Sequence, residues 1–281
     1  MSGPVSGIGA ERVALVDSGL GLLGFADALL AARPELELVL SLDPDHMPWG
    51  SRSVASVTDR VLSGVDAALA YHPDAVVIAC NTGSVTALTT VRARLEPAVP
   101  VIGTVPAIRP AAAGGGPVAV WATVSTTGSP YQQALIARFA ADVAVQEVAC
   151  PGFADAIESG DEPGIAAAIA AAVARTRDDV AAVVLGCTHY PLVRDQIVAA
   201  LPAGVAVHDS TLAVARQTLV RLAAASPRSS RDGGSGRDGR AGVRGGDRLT
   251  VLLSGRNGRL PDAVAGYPAG RRIAEIAAHC A

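Results

Sequence analysis

Short β-branched apolar runs alternate along this chain with longer stretches of helical periodicity. Val13–Val16, Leu36–Leu42, Ala75–Ala79 and Val99–Ile102 read as strands. Between them, Gly24–Ala32, Val54–Tyr71 and Val85–Leu95 read as helices. Gly114-Gly115-Gly116-Pro117 marks a break, after which the pattern starts again. Val118–Ala122, Val143–Val148, Ala182–Leu185 and Val205–Val207 form a second set of strands. Helices are expected over Tyr131–Ala140, Ile165–Arg175, Leu192–Ala200 and Leu212–Ala224. Leu249–Leu253 returns to strand and Arg271–His279 to helix. Such alternation favours parallel sheets covered on both faces, so an α/β fold with parallel-rich, doubly wound sheets is expected.

One pattern occurs twice. Ala75-Val76-Val77-Ile78-Ala79 runs into Cys80-Asn81-Thr82, and Ala182-Val183-Val184-Leu185-Gly186 runs into Cys187-Thr188. Both runs have the length of a buried strand, and both are followed by small polar residues of the kind that open a helix. A thiol between a strand end and a helix start meets backbone N–H groups and a dipole that favour its thiolate. Val13–Ser18 and Val118–Thr123 match in position and pattern as well, which reads as a duplicated α/β unit. Two half-sites facing one cleft are the expected result.

Composition excludes more than it assigns. Half of the 281 residues are hydrophobic and 17% are charged, enough for a large core and more than one domain. A net charge of −3 implies no bulk attraction to nucleic acid or to an anionic membrane. Every one of the 23 basic residues is arginine. Pyridoxal Schiff-base chemistry and a Walker-type phosphate loop both need a lysine, and neither can operate here.

The four cysteines, Cys80, Cys150, Cys187 and Cys280, show no CxxC spacing, so no metal site is expected. Cys150 and Cys280 have no polar constellation and read as plain core or surface thiols. His46, His72, His208 and His279 read as structural. Met1–Ala10 resembles no signal peptide, and Ile165–Ala174 is too short to span a bilayer, so a reducing cytoplasm is the expected compartment. The Gly/Ser/Arg/Asp stretch 226–247 reads as a solvated, disordered insertion.

Gly19-Leu20-Gly21-Leu22-Leu23-Gly24 fits a dinucleotide fingerprint, with Asp43 or Asp45 about twenty positions on. That reading leaves both cysteine strands unexplained.

Asp17-Ser18-Gly19, Pro48-Trp49-Gly50, Cys80-Asn81-Thr82 and Cys187-Thr188-His189-Tyr190-Pro191 all fall at strand ends, where open parallel sheets bind ligands. These strings resemble the cofactor-independent aspartate/glutamate racemase superfamily, over about Val13–Val220 and again over Leu249–Gly255. Gly186-Cys187-Thr188-His189-Tyr190-Pro191 is the sharpest match, and its histidine resembles the glutamate members. The resemblance implies two pseudo-symmetric α/β domains with the active site in the cleft between them. They are expected over 11–98 plus 208–281 and over 99–207.

It further implies that Cys80 and Cys187 act as paired bases on opposite faces of an amino-acid Cα, Cys80 on the D-isomer and Cys187 on the L-isomer. Asp17 assists Cys80, and His189 paired with Glu158 assists Cys187. Asp17, Ser18, Pro48, Trp49, Gly50, Asn81, Thr82, Thr126 and Thr188 would bind substrate. No metal or other cofactor is implied. Such enzymes supply D-glutamate for peptidoglycan and cell-wall biogenesis, and are often homodimers.

Three positions depart from the family pattern: Leu22 stands where glycine is usual, Trp49 where tyrosine is, and Gly83 where alanine is. Other members of the superfamily act on aspartate or hydantoins, and some interact with DNA gyrase. Those are the rival readings. Thr188-His189 argues against aspartate.

Overall fold

Asp17 ends the first strand as its one carboxylate among buried neighbours: β1 (Arg12–Asp17) is buried from Val13 onward. The computed structural model describes residues 10–225 and 248–278; the segment 226–247, the N-terminal residues 1–9 and the C-terminal residues 279–281, with His279 and Cys280, lie outside the described residues. After β1 come α1 (Leu23–Ala32), β2 (Glu37–Leu42), α2 (Val54–Leu69), β3 (Ala75–Ile78), α3 (Asn81–Leu95) and β4 (Val101–Gly103). Next are α4 (Ile108–Ala112), β5 (Val118–Ala122), α5 (Pro130–Phe139), β6 (Val145–Ala149), α6 (Phe153–Ser159) and α7 (Glu162–Arg175). The chain continues through β7 (Ala182–Leu185), α8 (Arg194–Ala200), β8 (Ala206–His208) and α9 (Thr211–Ala225), then β9 (Leu249–Leu253), β10 (Arg256–Asn257) and α10 (Pro268–Ala278).

The strands form two sheets, of order β10-β9-β2-β1-β3-β4 and β6-β5-β7-β8. Every pairing is parallel except the β9–β10 hairpin. The two cysteine strands hold equivalent places. β3 pairs with β1 with Val16 opposite Ile78, and β7 pairs with β5 with Trp121 opposite Leu185. Each cysteine follows two residues after its strand, so both come out at the same kind of sheet edge.

Val57, Val61 and Val65 line one stripe of α2 and pack on Ala14, Val16, Val39, Val76 and Ile78 of the first sheet. Burial of each valine stabilises by about 2 kcal/mol, and Ser53 caps the helix by accepting from the Ser56 amide. The opposite face of that sheet belongs to a core running through α1, Trp121, Phe153 and Tyr190 into the second sheet. One continuous apolar body therefore sets the two sheet edges against each other.

Several expectations are corrected. β4 hydrogen-bonds to β3, so the boundary between the sheets falls after residue 103 and not at 99. Helix α3 starts at Asn81 rather than Val85, because Cys80 itself caps it and the Ser84 amide returns to the Cys80 carbonyl. Helix α8 starts at Arg194; the residues before it form a tighter 3-10 turn, Tyr190–Val193, with Pro191 in its first positions. Helix α6, which carries Glu158, was not legible as a helix. It has seven residues between two left-handed glycines, Gly152 and Gly160, too few for periodicity to show.

Candidate active site

Cys80 and Cys187 border the same cavity, of about 360 Å³, at the facing edges of the two sheets. Ser18, Pro48, Trp49, Gly50, Asn81 and Thr82 line it from the first sheet's side. Thr126, Thr188 and His189 line it from the other, and Thr123, Ser125 and Cys150 join them. Asp17 and Glu158 stand behind this wall and do not border the cavity.

The two thiols sit in different surroundings. Cys80 is the N-cap of the fifteen-residue helix α3, its side chain making no capping hydrogen bond. Asp17, fully buried, acts electrostatically on the same thiol. Burial pushes the Cys80 thiol well up and the Asp17 charge pushes it further, while the Gly83 amide pulls it down. Cys187 has no α-helix at its back. The 3-10 turn that follows it is too short to act as a strong dipole. Its neighbour is instead His189, whose Nδ1 lies 3.8 Å from the Cys187 sulfur.

The histidine is held in turn. His189 Nε2 and Glu158 Oε2 are 2.8 Å apart, and the same oxygen accepts from the Leu20 amide at 2.7 Å. Burial opposes a charge on His189. Hydrogen bonds to Cys187 and Glu158 nevertheless hold its pKa well above the usual imidazole value. The protonated ring thus puts a cation beside Cys187.

Asp17 shows the opposite balance. Burial raises its carboxyl from 3.8 to about 6, against lowering by the His189 charge and the Ser18 amide. Its Oδ1 accepts from the Ser18 amide at 2.6 Å and the Ser18 hydroxyl at 3.3 Å. Its Oδ2 accepts from the Thr188 hydroxyl at 3.2 Å. A carboxyl poised near neutrality can give or take a proton beside Cys80.

Other expected residues are placed as follows. Asn81 Nδ2 donates to the Gly186 carbonyl at 2.7 Å, and its buried Oδ1 has no hydrogen-bond partner among the described residues. Thr126 Oγ1 pairs with Thr123 Oγ1 at 3.0 Å. Trp49 is 1% exposed, and its indole N–H donates to Asp43 Oδ2 at 3.0 Å. Thr188 spends its hydroxyl on Asp17. Cys150, read from sequence as a plain core or surface thiol without polar company, is buried and also forms part of the cavity wall. Among the described residues no cluster suited to a metal ion occurs, and no helix is long and apolar enough to cross a membrane.

The glycine-rich segment is not free for a dinucleotide. A Cβ on Gly19 would come 2.3 Å from Glu158 Oε2, and one on Gly21 would come 2.4 Å from Thr188 Oγ1. The space a pyrophosphate needs is filled by side chains of the opposite half, and Asp43 already serves Trp49, His46 and Ser254.

Residues 26–218 match the Asp/Glu/Hydantoin racemase family. The chain belongs to that family. The glutamate racemase of Pseudomonas paraeruginosa is 37% identical to it over 212 residues, 73% of this chain and 79% of the relative. That of Erwinia tasmaniensis is 36% identical over 223 residues, 76% of this chain and 78% of the relative. Among solved structures, Escherichia coli glutamate racemase in complex with L-glutamate and the activator UDP-MurNAc-Ala superposes with a TM-score of 0.74 at 25% identity, covering 95% of this chain and 96% of that one. The Thermus thermophilus glutamate racemase, in complex with β-chloro-D-alanine, gives 0.64 at 27% identity, covering 94% and 93%. As a racemase, the chain is an isomerase, and both sheets take part in the shared fold.

Proposed function

We propose that this racemase interconverts L- and D-glutamate without a cofactor, using Cys80 and Cys187 as bases on the two faces of Cα. The observation that carries the reading is the shared cavity: two thiols from opposite sheets border it, each backed by its own acid–base group. Glutamate, rather than aspartate or a hydantoin, is supported by the similarity to glutamate racemases along most of the chain. The halves up to and after the sheet boundary act as two domains that close on the substrate.

In one direction the Cys80 thiolate takes the Cα proton: the C–H bond breaks, an S–H bond forms, and the electron pair remains as a carbanion. The Cys187 thiol delivers a proton to the opposite face, leaving a thiolate beside protonated His189. The reverse direction exchanges the roles. By resemblance, Cys80 serves the D-isomer and Cys187 the L-isomer. Asp17 holds or releases the proton of Cys80, and His189 with Glu158 does so for Cys187.

The cavity lining fits an amino-acid dianion with one cation. Among the described residues no arginine borders it, so the carboxylates are held by Ser18, Thr82, Thr126 and backbone N–H groups at the start of α3. The Asn81 Oδ1 acceptor, buried and without a partner among the described residues, suits the substrate ammonium. That cation also lowers the cost of a thiolate at Cys80. Pro48-Trp49-Gly50 closes the remaining side. The product D-glutamate would serve peptidoglycan synthesis.

Incubation with L-glutamate in deuterated water tests the reading. Expected are loss of optical rotation and deuterium at Cα without added cofactor. Reaction with aspartate in place of glutamate overturns the substrate, and no exchange from folded protein overturns the activity.

A further inference from the structure

One hydrogen bond has an end beside each cysteine of the cavity. Asn81, the residue after Cys80, donates through Nδ2 at 2.7 Å to the carbonyl of Gly186, the residue before Cys187. The acceptor is a carbonyl, which fixes the orientation of the side-chain amide: the N–H faces Gly186 and Oδ1 faces away. Two other bonds that cross the cleft, Thr188 to Asp17 and Leu20 to Glu158, have no end next to Cys80. Asn81 is buried, so a donor lost there is not replaced cheaply by water.

Each partner is fixed in its own sheet. On one side the Ser84 hydroxyl donates to the Ile78 carbonyl at 3.0 Å and accepts from the Thr104 amide at 2.9 Å, and the Ser84 amide donates to the Cys80 carbonyl at 2.8 Å. The turn from β3 into α3 is thereby clamped around Cys80. On the other side the Gly186 amide donates to the Trp121 carbonyl at 2.7 Å, and a Cβ on Gly186 would come 2.8 Å from that oxygen. The backbone before Cys187 is thus pressed against β5. Two clamped turns meet at the Asn81 side chain. We propose that Asn81 is a positioning residue that sets the separation of Cys80 and Cys187, its amide docking the two cysteine turns at a fixed distance. The consequence for catalysis rests on the two-cysteine reading above, in which both sulfurs must reach one Cα; the spacing itself does not.

The test reads the sulfur-to-sulfur spacing directly. In full-length protein carrying Cys150→Ala and Cys280→Ala, bis-methanethiosulfonate reagents of graded spacer length compete to cross-link Cys80 with Cys187, and intact-mass spectrometry measures each product. The parent is expected to favour one spacer length. Asn81→Leu keeps the bulk and loses the amide. Asn81→Asp, once ionised, turns an oxygen toward the Gly186 carbonyl in place of the N–H. Both are expected to lower the ratio of the favoured product to the next longer one by about tenfold, the worth of a buried acceptor left unpaired. Lowering the pH until the new carboxyl is protonated gives Gly186 an O–H donor again, and the parent ratio is expected to return. Asp17 and His189 also titrate beside this cleft, so each ratio is taken against the parent at the same pH. A spacer preference unchanged in both variants overturns the proposal, and so does a change in Asn81→Asp that protonation fails to reverse. If Asn81→Leu does not fold, Asn81→Asp and its reversal decide alone. Because cross-linking needs no turnover, a protein that never exchanges the Cα proton of glutamate yet shows these spacer shifts refutes the racemase reading and leaves the positioning role standing.

Discussion

Thr188 donates its hydroxyl to Asp17 across the cleft, so the residue beside one cysteine holds the carboxylate beside the other. The two half-sites are interleaved rather than merely adjacent. Thr188→Val keeps the shape and removes the donor. Without it the ionised form of Asp17 is less favoured, and a carboxyl already near 6 rises further. The acid limb of kcat/KM against pH is expected to move upward by about one unit, the worth of a hydrogen bond to a charged group. A pH–rate profile on glutamate checks it, and an unmoved limb rejects the role given to Thr188.

Glu158 has two duties at one oxygen, and Gly19 leaves the room for it. Glu158→Gln removes the negative charge that helps to keep His189 protonated. The histidine pKa is expected to fall, and kcat with it, by a factor of roughly a hundred, the lower end of general acid–base contributions. Gly19→Ala is expected to have the same effect with every catalytic side chain still present, because its Cβ would displace the carboxylate. Titration of the imidazole by NMR, with steady-state rates, measures both.

Burial of Asp17 costs stability, and the sign can be worked out. Its folded pKa of about 6 exceeds the unfolded 3.8, so between these values the folded chain binds more protons. Stability from this group is full below pH 4 and falls as pH rises to about 6. Asp17→Asn is therefore expected to be inactive yet more stable at pH 8, by up to about 3 kcal/mol, with little gain at pH 4. Urea denaturation at the two pH values decides; an equal change at both rejects the burial argument.

Cysteine replacement separates the three described thiols. Cys80→Ala and Cys187→Ala are each expected to abolish racemisation, with a loss of at least about a hundredfold. Cys150→Ala is expected to keep most of the activity at a stability cost of about 1 kcal/mol, although Cys150 borders the same cavity. Its buried sulfur donates to the Val148 carbonyl at 3.6 Å, and burial pushes its pKa up to about 12, so it stays a thiol. Circular dichroism of glutamate solutions reads all three variants. A racemising Cys187→Ala enzyme ends the two-base scheme.

What was legible in the sequence follows from where the physics is local. The β3 and β7 runs announce themselves because buried parallel strands are apolar throughout and lead into small polar residues. The difference between the two cysteines did not show. Helix α3 can begin directly after Cys80, whereas Pro191 and the 3-10 turn delay α8 after Cys187, and the charge it lacks from a helix comes from His189. Glu158 was found only by resemblance, since its helix is two turns long and its partners lie in other elements. The orphan acceptor on Asn81 and the Trp49–Gly83 contact are products of packing between distant segments, which no spacing encodes. The placement of β4 was missed because a three-residue strand can pair with either neighbour on pattern alone.

Glu158 to the Leu20 amide, Asn81 to the Gly186 carbonyl and Thr188 to Asp17 are bridges from one half of the molecule to the other. Each has an end on a group that sets the proton affinity of a thiol or on the residue next to one. Any swing that parts the halves to admit a ligand must stretch these ties, and so must detune both sulfurs at once. On the two-cysteine proposal, an open cleft would hold two idle thiols, and reactivity would return only as the halves come together.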